Sequence, residues 1–308
     1  MNVVQNIENF KPRNKSVLTI GTFDGVHIGH QKIIRSLVEL AHQQKYESSI
    51  LTFFPHPRMI LQKDSSLKLI NTINERSAII KQTGVSNLII HPFTKEFSRL
   101  TALEFVRDIL VNQLHIKKII IGYDHQFGRN RTATINDLIE FGNIYDFEVI
   151  EITAQQLLNV SISSTKIREH LSRASIKEAN KLLGYPFFFS GKVVHGNKIG
   201  RTLGYPTANL KIEDPEKIIP GNGIYAVYAR PEGANHLYKG MMSIGFRPTV
   251  DGKTRVIEVN IFEFNKEIYD ELLEVHMVAY LREEKKYESL QGLIEQLGKD
   301  KENSLQIL

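Results

Sequence analysis

Two patterns of apolar residues follow one another along the chain. In the first part, short runs rich in Val, Ile, Leu and Phe alternate with segments whose apolar residues recur every three or four positions. The runs predict strands, and the segments predict amphipathic helices. The predicted strands are 16–20, 48–54, 87–90, 118–122 and 147–152, and the predicted helices include 30–44, 165–172 and 175–183. Strands separated by helices of this length predict βαβ units and a doubly wound parallel sheet.

A local signal marks several of the predicted helix starts: a Ser or Thr followed three residues later by Glu. In this capping box, each side chain accepts a hydrogen bond from the other residue's backbone N–H. The pairs are Thr72 with Glu75, Thr101 with Glu104, and Ser175 with Glu178. The second pair opens the segment EFVRDILVNQL, which we also expect to be helical.

The pattern changes near residue 185. Strand-like runs at 187–195, 223–229, 239–245, 255–264 and 272–280 are separated by Gly and Pro turns, with no convincing helix between them. This spacing predicts an antiparallel sheet or a small barrel. A last helix at 287–297 places its leucines and Ile294 on one side. We therefore predict an α/β domain over 1–185 and a β-barrel domain with a C-terminal helix over 186–308.

Composition narrows the class of protein. Of the 308 residues, 42% are hydrophobic and 24% are charged, which is typical of a globular chain and excludes a disordered or collagen-like one. Cys is absent, so disulfides, thiolate zinc sites and thiol nucleophiles are excluded. The sequence shows no secretory signal and no run of 18 apolar residues, so we expect a cytoplasmic enzyme or binding protein without membrane association.

The positive charge lies in the first part of the chain. Residues 1–185 hold 23 basic and 17 acidic side chains, a net charge of +6, whereas residues 186–308 hold 16 and 17, a net charge of −1. A modest positive field suits polyphosphate substrates as well as it suits a nucleic acid. The chain has no run of five Lys or Arg and no basic–aromatic interleaving, so we expect no nucleic-acid partner.

The segment GTFDGVHIGH follows a predicted strand and opens a predicted helix. In a doubly wound sheet, phosphates bind at such a strand-to-helix turn. Gly21, Gly25 and Gly29 allow close backbone approach, and the helix start offers free N–H groups. His27 and His30 can each donate a hydrogen bond to a polyphosphate, and as cations they would offset charge during phosphoryl transfer. The alternative is a surface turn with incidental histidines.

The segment ISSTKIR offers a second anion site. Ser164 or Thr165 can cap a helix, and Arg168 would lie one turn further on. Hydroxyls, free N–H groups and an Arg together attract an anion, although capping alone explains the hydroxyls. Together with HIGH, the segment is interpreted as the far side of one triphosphate pocket.

The second part contains a basic, glycine-rich loop within GKVVHGNKIGRTLGYPTANL. Its glycines and cations can wrap phosphates, and they are Gly196, Lys198, Gly200, Arg201 and Gly204. Thr207 and Asn209 lie two positions apart, so they share one side of an extended strand. A hydroxyl and an amide oxygen are hard ligands that suit Mg²⁺ bound to ATP. A plain glycine-rich hairpin is the alternative.

The run RVIEVNIFEF at 255–264 alternates between two faces. Ile257, Val259 and Ile261 share one face, and Glu258 lies on the other between Val256 and Phe262. The Glu258 carboxylate is therefore either on a solvated face or placed there as a base.

The motifs of the first part, taken in order, resemble a known enzyme module. GTFDGVHIGH, TFFPHPR, IGYDHQFGRNR and ISSTKIR are similar to the FMN adenylyltransferase module of the bacterial bifunctional riboflavin kinase/FAD synthetases. The resemblance implies that ATP phosphates bind to His27, His30, Ser164, Thr165 and Arg168, with Phe23 and Asp24 near the nucleotide. It further implies a nucleotide and flavin cleft lined by His56, Pro57, Asp124, Phe127 and Arg131.

The second part resembles the riboflavin kinase module of the same family. PTAN, the Glu258 strand and the segment EIYDELLEVHMVAYLREEKKYESLQGLIEQLGKD carry this resemblance. It implies Mg²⁺-ATP at Thr207 and Asn209, Glu258 as the base for the ribityl 5′-hydroxyl, and Arg282 beside the flavin. With His30 and Arg168 we thus expect three catalytic residues, with ATP, riboflavin, FMN and FAD as substrates or products, and at most weak self-association.

Two other functions remain open at this point. One is an adenylyltransferase with a His-x-Gly-His (HxGH) motif that acts on another substrate and has a non-catalytic barrel. The other is a flavin- or RNA-binding regulator. The HIGH segment and Glu258 argue against the regulator, and PTAN beside the Glu258 strand argues against an unrelated adenylyltransferase.

Overall fold

The chain folds into two compact units, and each is described here by itself. The structure, a computed structural model, describes residues 1–62, 66–122, 126–153, 162–196, 199–249 and 252–308. The first unit comprises Met1–Leu67 with Asn71–Ile162, and the second unit comprises Lys68–Ile70 with Ser163–Leu308.

A parallel sheet of six strands forms the first unit. Its strands are β1 (Asn2–Gln5), β2 (Ser16–Ile20), β3 (Glu47–Phe53), β4 (Asn87–His91), β5 (Ile116–Gly122) and β6 (Glu148–Ile152). They pair in the order β1-β4-β3-β2-β5-β6, and every pair is parallel. Most residues of β2, β3 and β4 are buried, as expected for strands inside a parallel sheet. The predicted doubly wound sheet is confirmed.

Helices connect these strands. They are α1 (Ile28–Gln44), α2 (Pro57–Leu61), α3 (Ile73–Lys81), α4 (Ala102–Glu104, continued by a π-helix at Phe105–Gln113) and α5 (Ile135–Tyr145). The sequence reasoning missed α5 and the edge strand β1. In α5, Ile139 and Ile144 are exposed, so its apolar residues do not keep to one face. In β1, three of the four residues are exposed, so the strand lacks a buried run.

A closed antiparallel barrel with flanking helices forms the second unit. Its strands are β7 (Phe188–Val194), β8 (Ala208–Lys211), β9 (Gly223–Pro231), β10 (Tyr238–Thr249), β11 (Gly252–Ile261) and β12 (Leu272–Arg282), in the order β10-β11-β8-β7-β12-β9. Its helices are α6 (Ser164–Ser172), α7 (Ile176–Leu183), α8 (Ile199–Thr202) and α9 (Leu290–Ile307). The predicted barrel and C-terminal helix are confirmed, and the short α8 is an addition to the prediction.

The strand β11 has the predicted alternation. Ile257, Val259 and Ile261 belong to the barrel core, while Glu258 is only partly buried on the opposite face. The same core includes Ile167 and Leu171 of α6, together with three residues of α7. By packing, therefore, both helices belong to the barrel unit, and the assignment of separate activities to 1–185 and 186–308 stays a prediction.

A short strap, Lys68–Ile70, also packs within the second unit. Leu69 N–H donates to the Glu216 carbonyl at 2.7 Å, and its own carbonyl accepts from Ile218 N–H at 2.9 Å. The buried Lys217 ammonium donates to the Ile70 and Phe188 carbonyls at 2.7 and 2.8 Å. Carbonyl dipoles thus stabilise a cation that has only 3% of its surface exposed.

Two of the three predicted capping boxes are present. Thr72 and Glu75, like Thr101 and Glu104, exchange both reciprocal hydrogen bonds. The prediction for Ser175 is wrong, because its side chain makes no capping hydrogen bond. Its backbone, at φ −78° and ψ 65°, lies outside the extended conformation in which the other two caps hold their hydroxyls.

These caps give a matched test of stability. We expect Thr72→Ala to lower the free energy of unfolding of the first unit by about 1 kcal/mol, because α3 loses its N-cap hydrogen bond. Ser175→Ala should change the stability of the second unit by no more than about 0.5 kcal/mol. Urea unfolding, monitored by hydrogen exchange of the backbone amides in each unit, measures both changes in the free energy of unfolding. Equal losses in the two variants would contradict the capping geometry.

Candidate active sites

The HIGH segment lies at the switch point of the parallel sheet. The strand β2 has β3 on one side and β5 on the other, and the chain leaves its carboxyl end into the turn that precedes α1. In open α/β sheets, ligands bind outside the carboxyl ends of the strands at this point. The topology therefore makes the turn that sequence reasoning selected a candidate ligand site.

Tight backbone geometry shapes this turn. Phe23, Gly25 and Val26 have positive φ angles of 49°, 85° and 32°, and Val26 N–H donates to the Phe23 carbonyl at 3.0 Å. A Cβ on Gly21 would lie 3.1 Å from the Phe23 ring, so a side chain at this position would require the ring to shift. The turn thus keeps its backbone close to the start of α1.

The Asp24 carboxylate stabilises the turn through buried contacts. It is completely buried, accepts a hydrogen bond from Asn71 N–H at 3.2 Å, and lies 3.7 Å from the buried Arg76 guanidinium. These contacts give Asp24 a structural role. That Asp24 and Phe23 also lie near a bound nucleotide stays a prediction.

The two imidazoles stack at the helix start. His27 is the N-cap of α1, and its Nδ1 accepts a hydrogen bond from His30 N–H at 3.3 Å. The rings of His27 and His30 are 3.6 Å apart and nearly parallel. A Cβ on Gly29 would lie 3.3 Å from the His27 ring, which explains the glycine between them. Because Nδ1 of neutral His27 is an acceptor, its proton is on Nε2, which is a donor.

Both histidines are neutral in this state. Burial lowers the pKa of His27 to about 4, although the charge of Asp24 opposes the shift. Burial also lowers the pKa of His30 well below its usual value, and His27 and Arg76 add to this effect. Among the described residues, His30 Nδ1 has no hydrogen-bond partner. The imidazoles are therefore neutral N–H donors in this state, and their binding to a polyphosphate stays a prediction.

The other predicted residues of the first unit have mixed positions. His56 caps α2 by accepting from Arg58 N–H at 3.1 Å, and Pro57 is the first residue of that helix. Phe127 is buried in the core beside Phe105, which gives it a packing role. Arg131 is exposed. Asp124 lies outside the described residues. The proposed flavin contacts of these residues stay a prediction.

From Ser163 onward the ISSTKIR segment belongs to the second unit, whereas HIGH belongs to the first. Ser163 caps α6 by accepting from Lys166 N–H at 3.3 Å, so Ser164 and Thr165, which we expected as caps, lie inside the helix. Arg168 lies one turn further on, and its Nε donates to the Lys68 carbonyl at 2.7 Å. That the two segments form one triphosphate pocket stays a prediction.

Three polar side chains form a row across the barrel sheet. Glu258 of β11 is directly opposite Asn209 of β8 on one side and Ser243 of β10 on the other. Directly opposite residues of antiparallel strands point to the same face. Two members of the row, Glu258 and Ser243, line a cavity of about 340 Å³, whose wall also includes Thr207, Arg282 and residues of α9.

Two ion pairs organise the charges of this cavity. Arg247 Nη2 donates to Glu258 Oε2 at 2.7 Å. Arg282 donates to both oxygens of the buried Asp300 at 2.8 and 2.6 Å. A further acid, Glu284, also lies in the wall; burial raises its pKa, and the charge of Glu258 acts in the same direction.

Thr207 connects this cavity to a smaller one of about 70 Å³. The smaller cavity is lined by Arg201 and Tyr269 among others, and Thr207 lines both. Two glycines bring the predicted loop to PTAN: a Cβ on Gly196 would overlap the Asn209 amide, and Gly200 is close to the Thr207 hydroxyl. The predicted Lys198 lies outside the described residues.

The described residues contain no cluster of three or more His, Cys, Asp or Glu side chains able to hold a metal by themselves. Any divalent cation at Thr207 and Asn209 would therefore need ligands from the nucleotide or water as well.

No helix in the described ranges is long and apolar enough to cross a membrane.

Sequence reasoning did not single out several residues of the larger cavity. Arg247, Asp300 and Tyr287 all line it, and the Tyr287 hydroxyl is buried without a hydrogen-bond partner among the described residues. The strand register could have suggested Arg247, because it lies on β10 a few residues beyond the position opposite Glu258. No apolar pattern marks Asp300, since it is a buried charge in a polar helix.

Comparison with known proteins gives the class of both units. Residues 9–166 match the family described as FAD synthetase, and residues 183–308 match the family described as riboflavin kinase. A bifunctional riboflavin kinase/FMN adenylyltransferase of Buchnera aphidicola is 40% identical and covers 97% of this chain and 96% of its own length. Those of Listeria monocytogenes and Escherichia coli K12 are 37% and 32% identical, covering 94% and 97% of this chain and 91% and 96% of their own lengths.

A solved structure extends the likeness to the whole fold. It is described as a macrolide-efflux protein from Streptococcus pneumoniae, is 35% identical, covers 99% of each chain, and has a TM-score of 0.89. Two-unit transferases that use nucleotides are thus the class that the fold and both sites define. Within that class, the chain belongs to the family of bifunctional riboflavin kinase/FMN adenylyltransferases.

The neutral state of the HIGH imidazoles can be measured by NMR titration. We expect His27 in the folded protein to protonate only near pH 4, and in 8 M urea to protonate near its ordinary pKa of about 6.5. Because the folded pKa is the lower one, neutral His27 stabilises the fold above about pH 6.5, and this contribution is lost as the pH falls towards 4. A His27→Asn variant assigns the signal. A folded-state midpoint between pH 6 and 7 would contradict the burial.

Proposed function

We propose that this chain makes FAD from riboflavin in two steps, both with ATP. The first step phosphorylates riboflavin to FMN at the barrel cavity, and the second adenylylates FMN at the HIGH segment. The observation that carries the proposal is the presence in one chain of Glu258 beside the PTAN loop and of stacked imidazoles at the switch point of a parallel sheet. We assign the second step to residues 1–185 and the first to residues 186–308.

In the kinase step, Glu258 acts as general base. The ribityl 5′-oxygen attacks the γ-phosphorus of ATP, the bond from that phosphorus to the bridging oxygen breaks, and ADP leaves. The proton of the hydroxyl passes to the Glu258 carboxylate. The cavity of about 340 Å³ offers the acceptor space beside this carboxylate, and Arg282 borders the flavin. Positioning and charge stabilisation supply most of the catalysis in such a transfer.

Mg²⁺ fits the donors beside Glu258. Thr207 supplies a hydroxyl and Asn209 an amide oxygen, both hard ligands, and the absence of a side chain at Gly196 leaves the Asn209 amide its position. When bound with ATP, the ion would neutralise phosphate charge. Gly196, Lys198, Gly200 and Arg201 would hold the phosphates of the same nucleotide.

In the adenylylation step, the nucleophile is already an anion. An oxygen of the FMN phosphate attacks the α-phosphorus of ATP, the bond to the α–β bridging oxygen breaks, and pyrophosphate leaves. His27 and His30 donate hydrogen bonds to the phosphates at the N-terminus of α1, where the helix dipole favours negative charge. Ser164, Thr165 and Arg168 bind the remaining phosphate charge. No proton is transferred and no covalent intermediate is needed.

We further propose that the enzyme acts in the cytoplasm on small molecules alone, without nucleic acid and with at most weak self-association. The charge distribution supports this proposal, since the positive excess of the first part is modest and contains no long basic run.

Incubation of the protein with riboflavin, ATP and Mg²⁺, followed by chromatographic separation of the flavins, tests the whole proposal. We expect FMN to appear first and FAD afterwards, with release of ADP and pyrophosphate. FAD from supplied FMN without FMN from riboflavin would leave an adenylyltransferase with a non-catalytic barrel. Flavin binding without either product would indicate a regulator.

Two substitutions separate the steps and serve as controls for each other. We expect Glu258→Gln to lower kinase kcat by about 10²–10⁴-fold, because the base is lost while shape and hydrogen bonding are kept. FAD formation from supplied FMN should persist. We expect His30→Ala to lower FAD formation by about 10²–10³-fold, because a donor to the phosphates is lost, while FMN formation persists. Loss of both activities in either variant would contradict separate sites.

The proposed metal role of Thr207 predicts a different kinetic signature. Thr207→Ala should raise KM for Mg²⁺-ATP and lower kinase kcat/KM by about tenfold or more, as lost support of a metal commonly does. Thr207→Ser keeps the hydroxyl and should retain most activity. Titration of Mg²⁺ at saturating ATP provides the measurement. Equal kinetics of the Ala and Ser variants would remove the hydroxyl from the metal site.

A further inference from the structure

The Arg247 side chain contacts Glu258, the proposed base of the kinase step. Arg247 lies on β10, opposite Thr254 and four residues along β11 from Glu258. Its Nη2 donates to Glu258 Oε2 at 2.7 Å, and the two side chains are 38% and 23% exposed. Among the described residues, the Glu258 carboxylate accepts a hydrogen bond only from Arg247. One carboxylate oxygen is therefore held, and Oε1 has no such partner.

The other charges of the cavity wall do not provide this contact. Arg282 donates two hydrogen bonds to Asp300, which has only 1% of its surface exposed, so this guanidinium is already engaged. Glu284 is an acid in the same wall, and its hydrogen bond comes from Ser243 at 3.5 Å. Without Arg247, the Glu258 carboxylate would face the like charge of Glu284 with no cation in contact.

We propose that Arg247 is a positioning residue of the kinase step: it holds Oε2 of Glu258 so that Oε1 is directed to the hydroxyl of the acceptor. The proposal rests on the proposed function, since it gives Arg247 a task only if Glu258 is the base. Arg247 contacts neither acceptor nor nucleotide in this role. It acts through the orientation and charge balance of Glu258.

The chemistry of the pair supports this role. A guanidinium is planar, permanently charged and presents its donors in a rigid geometry, so it orients a carboxylate better than a flexible ammonium does. A hydrogen bond to an ion is also stronger than one between neutral groups. A base held in one orientation reaches the reacting hydroxyl more often than a base that rotates freely. The expected signature is a fall in kcat with little change in substrate KM.

Two other roles for Arg247 predict different results. A merely structural ion pair would contribute to barrel stability and not to turnover. A phosphate-binding Arg would set the KM for ATP. The chain offers a matched control for the first role, because Arg230 of β9 pairs with Glu274 of β12 at 2.6 Å, with side chains 46% and 22% exposed. Arg230 and Glu274 do not line the 340 Å³ cavity.

The first experiment compares Arg247→Met with Arg230→Met in the full chain. We expect Arg247→Met to lower kinase kcat by about 10- to 100-fold, as loss of a charged hydrogen bond predicts, with KM for riboflavin and for ATP within about twofold. Arg247→Lys should recover part of the rate. Arg230→Met should leave kcat unchanged. Unchanged kcat in Arg247→Met, or an equal loss in Arg230→Met, overturns the proposal.

A double-mutant cycle tests whether Arg247 acts through Glu258. We expect Arg247→Met to cause no further loss of kcat in a Glu258→Gln background, because the carboxylate that it positions is gone. An additive loss, or a large rise in KM for ATP, overturns the proposal in favour of phosphate binding. If Glu258→Gln alone retains full kinase activity, the proposed base is wrong, and this outcome is distinct from failure of Arg247 alone.

Chemical rescue gives a readout that a structural role would not move. Guanidinium ion at about 20 mM should restore part of the kinase kcat of Arg247→Ala by occupying the vacated position beside Glu258, whereas equal concentrations of sodium should not. Rescue should be absent in Arg247→Ala combined with Glu258→Gln. Failure of guanidinium to raise kcat above the sodium control, in a variant whose KM values are unchanged, overturns the positioning role.

Discussion

The kinase cavity depends on one buried ion pair. The helix α9 is attached to the end of β12 by Asp300, which accepts two hydrogen bonds from the Arg282 guanidinium. Removing two charges from water is costly, and the cost is offset only when the hydrogen bonds are well satisfied. Gln296 adds a third hydrogen bond to Asp300 at 2.9 Å. Since α9 and Arg282 form part of the wall of the 340 Å³ cavity, this pair helps to fix the shape of the cavity.

The sequence was most informative where a local motif has a local structural cause. The HIGH segment, the two confirmed capping boxes and the alternation of β11 each depend on residues within a few positions of one another. Such patterns are visible in a single chain because the backbone period alone decides which side chains share a face. The parallel sheet and the barrel followed from the same reasoning.

Interactions between distant positions were not predictable in this way. Asp24 contacts Asn71 and Arg76 about 50 positions away, and neither residue belongs to a motif that names its partner. The last helix was predicted to end at 297, but it continues to Ile307. The prediction ended early because the buried residues of this last part, Asp300 and Ser304, are polar. A search for apolar residues at helical spacing does not detect a helical segment whose buried residues are polar. The Arg247–Glu258 pair was missed because it too is a polar contact, which an apolar pattern does not reveal.

The electrostatics of the two sites match their different nucleophiles. A ribityl hydroxyl is a poor nucleophile until its proton is removed, so the kinase site needs a base, and the barrel holds the Glu258 carboxylate against the Arg247 guanidinium. The phosphate of FMN is already an anion and needs no base, so the HIGH site can rely on hydrogen-bond donors. Its imidazoles are buried and neutral, which removes the mutual repulsion that two stacked cations 3.6 Å apart would cause before ATP binds. The charge state of each unit is therefore the one that its proposed transfer step requires.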